Sequence, residues 1–381
     1  MGISIIKDPK EKRLSEINST VWPIEPHTKA KHEILRRYLG AWFPILSKWS
    51  GRIIYLDGFA GPGIYAGGEF GSPVIALETA ASHIMLRRFR EVLFLFIEKD
   101  KARSQKLISV LKERFPSLPS NLKYSVYDAE FAPTFEEGLN ELEKQGADLA
   151  PTFAFLDPFG FSGLPMKLIC RLLNCDKCEV LITFMSGFIR RFHDEFREDA
   201  LNELYGTDQW KKIREISDPD EREKFLLQLY EAQLRKLGGA KYVRSFGMIG
   251  PSNQTIYYLV FATKSIKGLE VMKDAMWKVD RTGSYKFSDI TGFKQSFLID
   301  YENEPSWVPS AAGAIYSRFK GKTVSDKEVF DFLIADTPFP KRKAPLYYLA
   351  KTSPPKIIEV LLPPGSSRGF PDGCAITFAS D

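Results

Sequence analysis

The stretch RIIYLDGFAGPG, residues 52–63, sets the architecture. Its first half is a short apolar run with β-branched members, the composition of a strand buried in a sheet. The run closes on Asp57, and Gly58, Gly61 and Gly63 follow at once. Glycine lets a backbone turn tightly and approach a ligand where a Cβ would collide. An acid at a strand end followed by G-F-x-G-x-G thus offers backbone donors to a carboxylate and an acidic group to an ammonium. Both groups belong to an amino-acid moiety, and Asp57, Gly58, Phe59, Ala60, Gly61 and Gly63 are the expected binding residues.

On either side of this loop an alternating rhythm appears. Residues 27–49, HTKAKHEILRRYLGAWFPILSKW, carry apolar side chains at helical spacing and predict an opening amphipathic helix. SPVIALETAASHIMLRRF, 72–89, predicts a helix with Ser72 as its cap and Pro73 in its first position. VLFLFIEKD, KYSVYDAEF, TFAFLDPFG and CEVLITFM predict four further strands, all but the last feeding a helix. This pattern predicts an α/β fold with a doubly wound parallel sheet. After Met185 comes a charged helical insertion, 190–237; then AKYVRSFGMI and TIYYLVFATK form a hairpin through GPSN. Five parallel strands with a terminal β-hairpin is the order of the Rossmann-like class I methyltransferase sheet. A nicotinamide-binding fold has a different strand order and a G-x-G-x-x-G spacing that is missing here.

Three more features fall at successive strand ends, the edge where such sheets bind ligands. Glu98 is placed to accept from both hydroxyls of a ribose, and Asp128 from an adenine amino group. Asp157-Pro158-Phe159-Gly160 joins a carboxylate that accepts from an amine or hydroxyl to an aromatic ring that stacks on a flat base. With Asp57, the series suits S-adenosyl-L-methionine and predicts methyl transfer. That reaction needs the nucleophile in line and out of water more than strong acid–base groups. Asp157, Pro158 and Phe159 are therefore the catalytic candidates, Asp157 orienting the nucleophile. No cysteine lies in these motifs, which disfavours covalent attack on a cytosine carbon. No metal is expected.

The 381 residues exceed one ordinary core. The predicted division is a methyltransferase-like domain over 1–265, a connecting helix and linker over 266–309, and a small unit over 310–381. In that unit AAGAIYSRFKG, SDKEVFDFLIAD (capped by Ser325) and KRKAPLYYLAK read as helices, and KIIEVLL and CAITF as strands. Three helices and a β-hairpin make a winged helix-turn-helix domain. Lys341, Arg342 and Lys343, at the start of its third helix, are placed to neutralise phosphates. The net charge of +5 permits nucleic-acid binding without requiring it. Of the four cysteines, Cys170, Cys175 and Cys178 fall in one short stretch and are read as core and loop residues. So few cysteines, no apolar run of about 18 residues and no secretory pattern predict a cytoplasmic protein.

These segments resemble the three-Cys-motif partner protein family (TcmP) across nearly the whole chain. The matching runs are HTKAKHEILRRYLGAWFPIL, IIYLDGFAGPGIYAGGEFGSPVIALE, FLDPFGF, GLEVMKDAMWKVD with GSYKFSD, and TPFPKRKAPLYYL. The resemblance implies a methyltransferase-like fold with a winged-helix tail, a role with DNA or RNA, and a radical-S-adenosylmethionine-like partner that carries the three cysteines. The motif is also similar to D/N-P-P-Y/F/W of nucleic-acid amino-methyltransferases. Asp157 and Pro158 match it, whereas Phe159 and Gly160 depart from it, so Phe159 or Phe161 supplies the stacking ring. In that wider group the N-terminal segment covers the pocket, which gives the same part to Lys31 and His32. The alternative reading is a methyltransferase fold that transfers nothing and serves as a partner or specificity subunit.

Overall fold

The computed structural model describes residues 20–47, 51–160, 162–186, 198–280, 284–289 and 307–380. Its centre is an eight-stranded mixed sheet, mostly parallel. The strands are β1 (Arg52–Asp57), β2 (Glu91–Glu98), β3 (Leu122–Asp128), β4 (Thr152–Leu156), β5 (Glu179–Phe184), β6 (Tyr242–Ile249), β7 (Thr255–Thr263) and β8 (Lys286–Ser288). They lie in the order β3-β2-β1-β4-β5-β7-β6-β8. β1 to β5 are parallel, β7 is antiparallel to both β5 and β6, and β8 runs parallel to β6. The edge strand β8 was not foreseen: three residues are too few for a period-two signal.

Alternate side chains of each strand feed two cores. Ile53, Tyr55, Phe94, Phe96, Phe153 and Phe155 pack on one face, where α1 (Pro26–Ser47), α2 (Ser72–Ala81), α3 (Lys101–Arg114) and α8 (Ile266–Val279) lie. Ile54, Leu56, Ala154, Leu156, Val180 and Ile182 pack on the other. There they meet α4 (Phe131–Lys144), α5 (Met166–Asn174), α6 (Glu198–Tyr205) and α7 (Pro219–Lys236). The last two are the described part of the expected insertion. Cys170 and Cys178 are buried in this second core and Cys175 is half-buried, none of them in a disulfide.

α1 forms because Ala30, Ile34, Leu35, Tyr38, Leu39, Trp42 and Phe43 make one apolar stripe at the 3.6-residue period. Pro44 in its last turn cannot donate to the Gly40 carbonyl. The His83 ring occupies that carbonyl instead, Nε2 lying 3.0 Å away, while Nδ1 accepts from the Met85 amide. Ser72 is not the cap of α2: Gly71 holds that position with no side-chain bond, and the Ser72 hydroxyl bonds to Asp57.

The C-terminal part comprises α9 (Trp307–Phe319), β9 (Thr323–Ser325), α10 (Asp326–Asp336), α11 (Ala344–Lys351), β10 (Ile357–Leu361) and β11 (Ala375–Phe378). It has its own apolar core and a three-stranded antiparallel sheet, β10-β11-β9, one strand more than the sequence suggested. Ser325 caps α10 as expected, in a reciprocal arrangement with Glu328. α11 begins at Ala344, so Lys341 and Arg342 precede it and Lys343 stands at its cap. Three groups of the large domain reach into this part. Lys273 Nζ on α8 donates to the carbonyls of Leu333, Ile334 and Thr337 at 2.7–2.8 Å. The Tyr285 hydroxyl donates to Pro338 O at 2.8 Å, and Arg244 to Ala335 O at 3.3 Å. Among the described residues no helix is long and apolar enough to cross a membrane.

Candidate active site

β1 delivers Asp57, fully buried, to the carboxyl edge of the sheet. Its Oδ1 accepts from the Phe59 amide and its Oδ2 from the Tyr55 hydroxyl, each at 3.3 Å. Burial pushes the carboxyl up to about 7, against the Ser72 hydroxyl and the Phe59 amide, which favour the ion. The loop that follows is pinned to its neighbours. Gly58 N donates to Phe155 O, Ala60 N to Ile97 O, and Gly71 N to Gly63 O.

The three glycines do different work. A Cβ at Gly58 would meet Phe131 and Leu156 at 2.7 and 2.8 Å, and one at Gly63 would meet Leu107 at 2.6 Å. Those two admit core side chains. Gly61 has φ +62° and open space where its Cβ would stand, so its bare face borders the cleft. Gly61 N donates to Glu98 Oε2, and Asp100 N to Glu98 Oε1, both at 2.8 Å. Glu98 therefore ties the glycine loop to the end of β2 and keeps one further lone pair on each oxygen. Asp128 pairs in register with Glu98 but is exposed; like the buried Asp57 and Glu98, it does not line the cleft.

At the end of β4, Asp157 is half-buried and Pro158 buried, whereas Phe159 is 61% exposed. Lys31 reaches across from α1 to form an ion pair with Asp157 Oδ2, with the ammonium 5.2 Å from the Tyr257 ring centroid. His32, expected over the pocket, is buried and lines the cleft 5.7 Å from the Tyr65 ring. Burial, with Lys31 adding, pushes its imidazole down to about 3 and keeps it neutral. Phe161 lies outside the described residues.

Sequence reasoning missed what covers this edge. Trp22 packs edge-on against Phe159 with ring centroids 5.4 Å apart, and the Arg103 guanidinium sits 4.9 Å from the Trp22 ring and 5.4 Å from that of Phe159. Beneath them the free volume among Gly61, Asp157, His32 and Tyr65 is about 40 Å³. That admits a water, whereas a ligand of nucleoside size needs several hundred Å³. Larger hollows lie elsewhere. One of about 830 Å³ lies beside Asp218, Arg222 and Tyr258, and one of about 270 Å³ beside Tyr38, Trp42 and Glu179. Neither adjoins the strand-end acids.

No protein-family model matches the sequence, and no curated protein does. Among solved structures, Trm1 from Pyrococcus horikoshii with S-adenosyl-L-methionine aligns at 13% identity over 66% of this chain and 60% of that one, with a TM-score of 0.37. The chain thus spans about three fifths of that protein. A protein of Legionella pneumophila str. Philadelphia 1 aligns at 14% identity over 63% of this chain and 85% of its own, again at 0.37. The plantazolicin methyltransferase BpumL in complex with SAH aligns at 10% identity over 68% and 92%, at 0.31.

The basic run lies far along the chain from this edge and is engaged within the protein. Arg342 pairs with Asp274 on α8 at 3.1 Å and Lys343 with Asp372 at 3.5 Å, while Lys341 lies 5.1 Å from the Phe330 ring. Arg342 and Lys343 nonetheless remain exposed.

Proposed function

We propose that this protein is an S-adenosyl-L-methionine-dependent methyltransferase acting on nucleic acid, with a nucleobase amine as the accepting group. The observation that supports the reading is the convergence of Asp57, the open face of Gly61, Glu98 and Asp157 on one sheet edge. The chemistry of these donors suits the cofactor; the cleft of about 40 Å³ is too small for it, so this reading requires Trp22, Arg103 and Phe159 to swing aside. When bound, the sulfonium supplies an electrophilic methyl group. Asp57, as carboxylate, would pair with the amino-acid ammonium; the Gly58, Phe59, Ala60 and Gly61 amides already donate within the protein, so the loop would meet the ligand with the open face of Gly61 and not with those donors. The spare lone pairs of Glu98 accept from the ribose. Asp157 accepts from the nucleophile and turns its lone pair toward the methyl, while the exposed face of Phe159 stacks on the base. Burial of this edge excludes water. Residues 310–381 are read as a winged helix-turn-helix that holds the nucleic acid through Lys341, Arg342 and Lys343. The cytoplasm and a radical-S-adenosylmethionine-like partner belong to the same reading.

Calorimetry with S-adenosyl-L-methionine tests it: the wild type binds, and Asp57→Ala and Gly61→Val abolish binding while leaving the thermal melt cooperative. Equal affinity in the variants overturns the reading. One observation favours a second reading, a partner or specificity subunit that transfers nothing: Asp157 is already ion-paired with Lys31 beneath a covered cleft. A labelled-methyl assay on total DNA, RNA and protein, with and without the three-cysteine partner, separates the two, since turnover on any of them removes the second.

A further inference from the structure

Away from the strand-end acids, three potential metal ligands from distant parts of the chain converge. Glu25 stands immediately before α1, its carbonyl accepting from the Thr28 and Lys29 amides. His27 follows in the first turn. Asp289 comes directly after β8, fixed there by its amide bond to Ile249 O at 3.0 Å. One ligand atom from each lies within 4.8 Å of the others.

The decisive group is Asp289. Its side chain is 3% exposed, and His27 Nδ1 lies 2.9 Å from its Oδ2. Its Oδ1 is buried and has no hydrogen-bond partner. A plain His–Asp pair accounts for one oxygen only, and buried carboxylate oxygens are normally satisfied. Glu25, whose carboxylate makes no hydrogen bond or ion pair among the described residues, supplies a second negative charge that the His–Asp pair leaves unexplained. Lys29 and Lys31, the next cations along α1, are engaged by Glu69 and Asp157. The Tyr257 ring, 5.5 Å from that of His27, and the Tyr257 hydroxyl, donating to His27 O at 3.4 Å, fix the imidazole from the side.

We propose that Glu25, His27 and Asp289 bind a six-coordinate first-row divalent cation of the manganese type. Two donors about 2.1 Å from an ion stand about 3.0 Å apart when they are cis in an octahedron and about 3.4 Å apart in a tetrahedron. The 2.9 Å between Nδ1 and Oδ2 is the length of a hydrogen bond, which the cation would replace with only a small adjustment toward the cis spacing. One imidazole with two carboxylates is a mixed nitrogen–oxygen set, harder than zinc's structural sites and softer than an all-oxygen magnesium or calcium cage. The cation balances both carboxylates and gives the buried Oδ1 a partner. It ties the start of α1 to the sheet edge at β8. This site is independent of the methyl-transfer reading and stands or falls separately.

The test is titration of chelator-treated full-length protein with Mn²⁺, followed by electron paramagnetic resonance and calorimetry. One Mn²⁺ binds per chain, and Glu25→Gln, His27→Gln and Asp289→Asn each weaken it by about tenfold or more, a loss that even outer partners of a metal can produce. Glu25→Gln removes no bond that holds the fold, so it reports on binding even if Asp289→Asn unfolds the chain. Mn²⁺ also raises the wild-type melting temperature and leaves that of Glu25→Gln unchanged. Absence of Mn²⁺ binding, equal binding by the Glu25→Gln variant, or binding of Zn²⁺ alone overturns the proposal.

Discussion

Burial holds the Asp57 carboxyl near 7, so at neutral pH the residue is divided between acid and carboxylate. A ligand ammonium draws it to the carboxylate. Binding of S-adenosyl-L-methionine below pH 7 is therefore expected to release a proton and to weaken about tenfold per pH unit. Calorimetry at pH 6 in buffers of different ionisation enthalpy reads the release, and heats that are independent of buffer refute it. The same shift fixes a stability sign. Between the ordinary 3.8 and about 7 the native state binds more protons than the unfolded chain, so this residue's contribution falls as pH rises through that window. His32 has the opposite sign: its imidazole lies near 3 instead of 6.5, so its contribution is complete above 6.5 and is lost as pH falls toward 3. Asp57→Asn removes the first slope and His32→Gln the second, as denaturant melts at pH 5 and 8 will show. The places of Asp57 and Glu98 at strand ends, and of the glycines after β1, were legible because an acid closing an apolar strand is a local pattern. Trp22 and Arg103 were not. Arg103 reads as an ordinary residue of a charged helix, and Trp22 gains its part only because the segment before α1 crosses the cleft.

At the level of elements, the major helices and the strands β1 to β7 follow from periodicity, but the helix expected over 72–89 ends at Ala81, with only a short 3-10 turn at Leu86–Arg88 beyond it. Where the reading of a cap failed, at Ser72, a tertiary partner had taken the hydroxyl. Where it held, at Ser325, both halves of the capping pair are local: the Ser325 hydroxyl accepts from the Glu328 amide at 3.2 Å and the Glu328 carboxylate from the Ser325 amide at 2.9 Å. Ser325→Ala should cost about 1 kcal/mol in urea denaturation, and an unchanged midpoint would contradict that. β8 and β9 escaped notice because each has three residues and is held by pairing with distant strands. The Pro44 break in α1 is mended from outside the helix as well. His83→Ala deprives the Gly40 carbonyl of its donor and is expected to cost about 1–2 kcal/mol.

Across the whole molecule, the joint between the large domain and the C-terminal part was invisible in the sequence, since Lys273 there is one lysine among many. In the structure it is buried and supplies the last turn of α10 with the hydrogen bonds that a helix end lacks. Lys273→Met removes three hydrogen bonds and leaves the Ile334 carbonyl without its side-chain donor. The expected loss is about 3 kcal/mol, with faster hydrogen exchange across 307–380 as the local readout. Exchange confined to α8 would contradict this. With Tyr285 and Arg244, Lys273 joins the C-terminal part to the large domain at three points, which set where the basic run stands relative to the sheet. If the proposed nucleic-acid substrate is gripped at Arg342 and Lys343, this joint would set the offset of the modified nucleotide from the protein's footprint. On that reading the protein would act as a ruler, and inserting residues at the joint would move the mark.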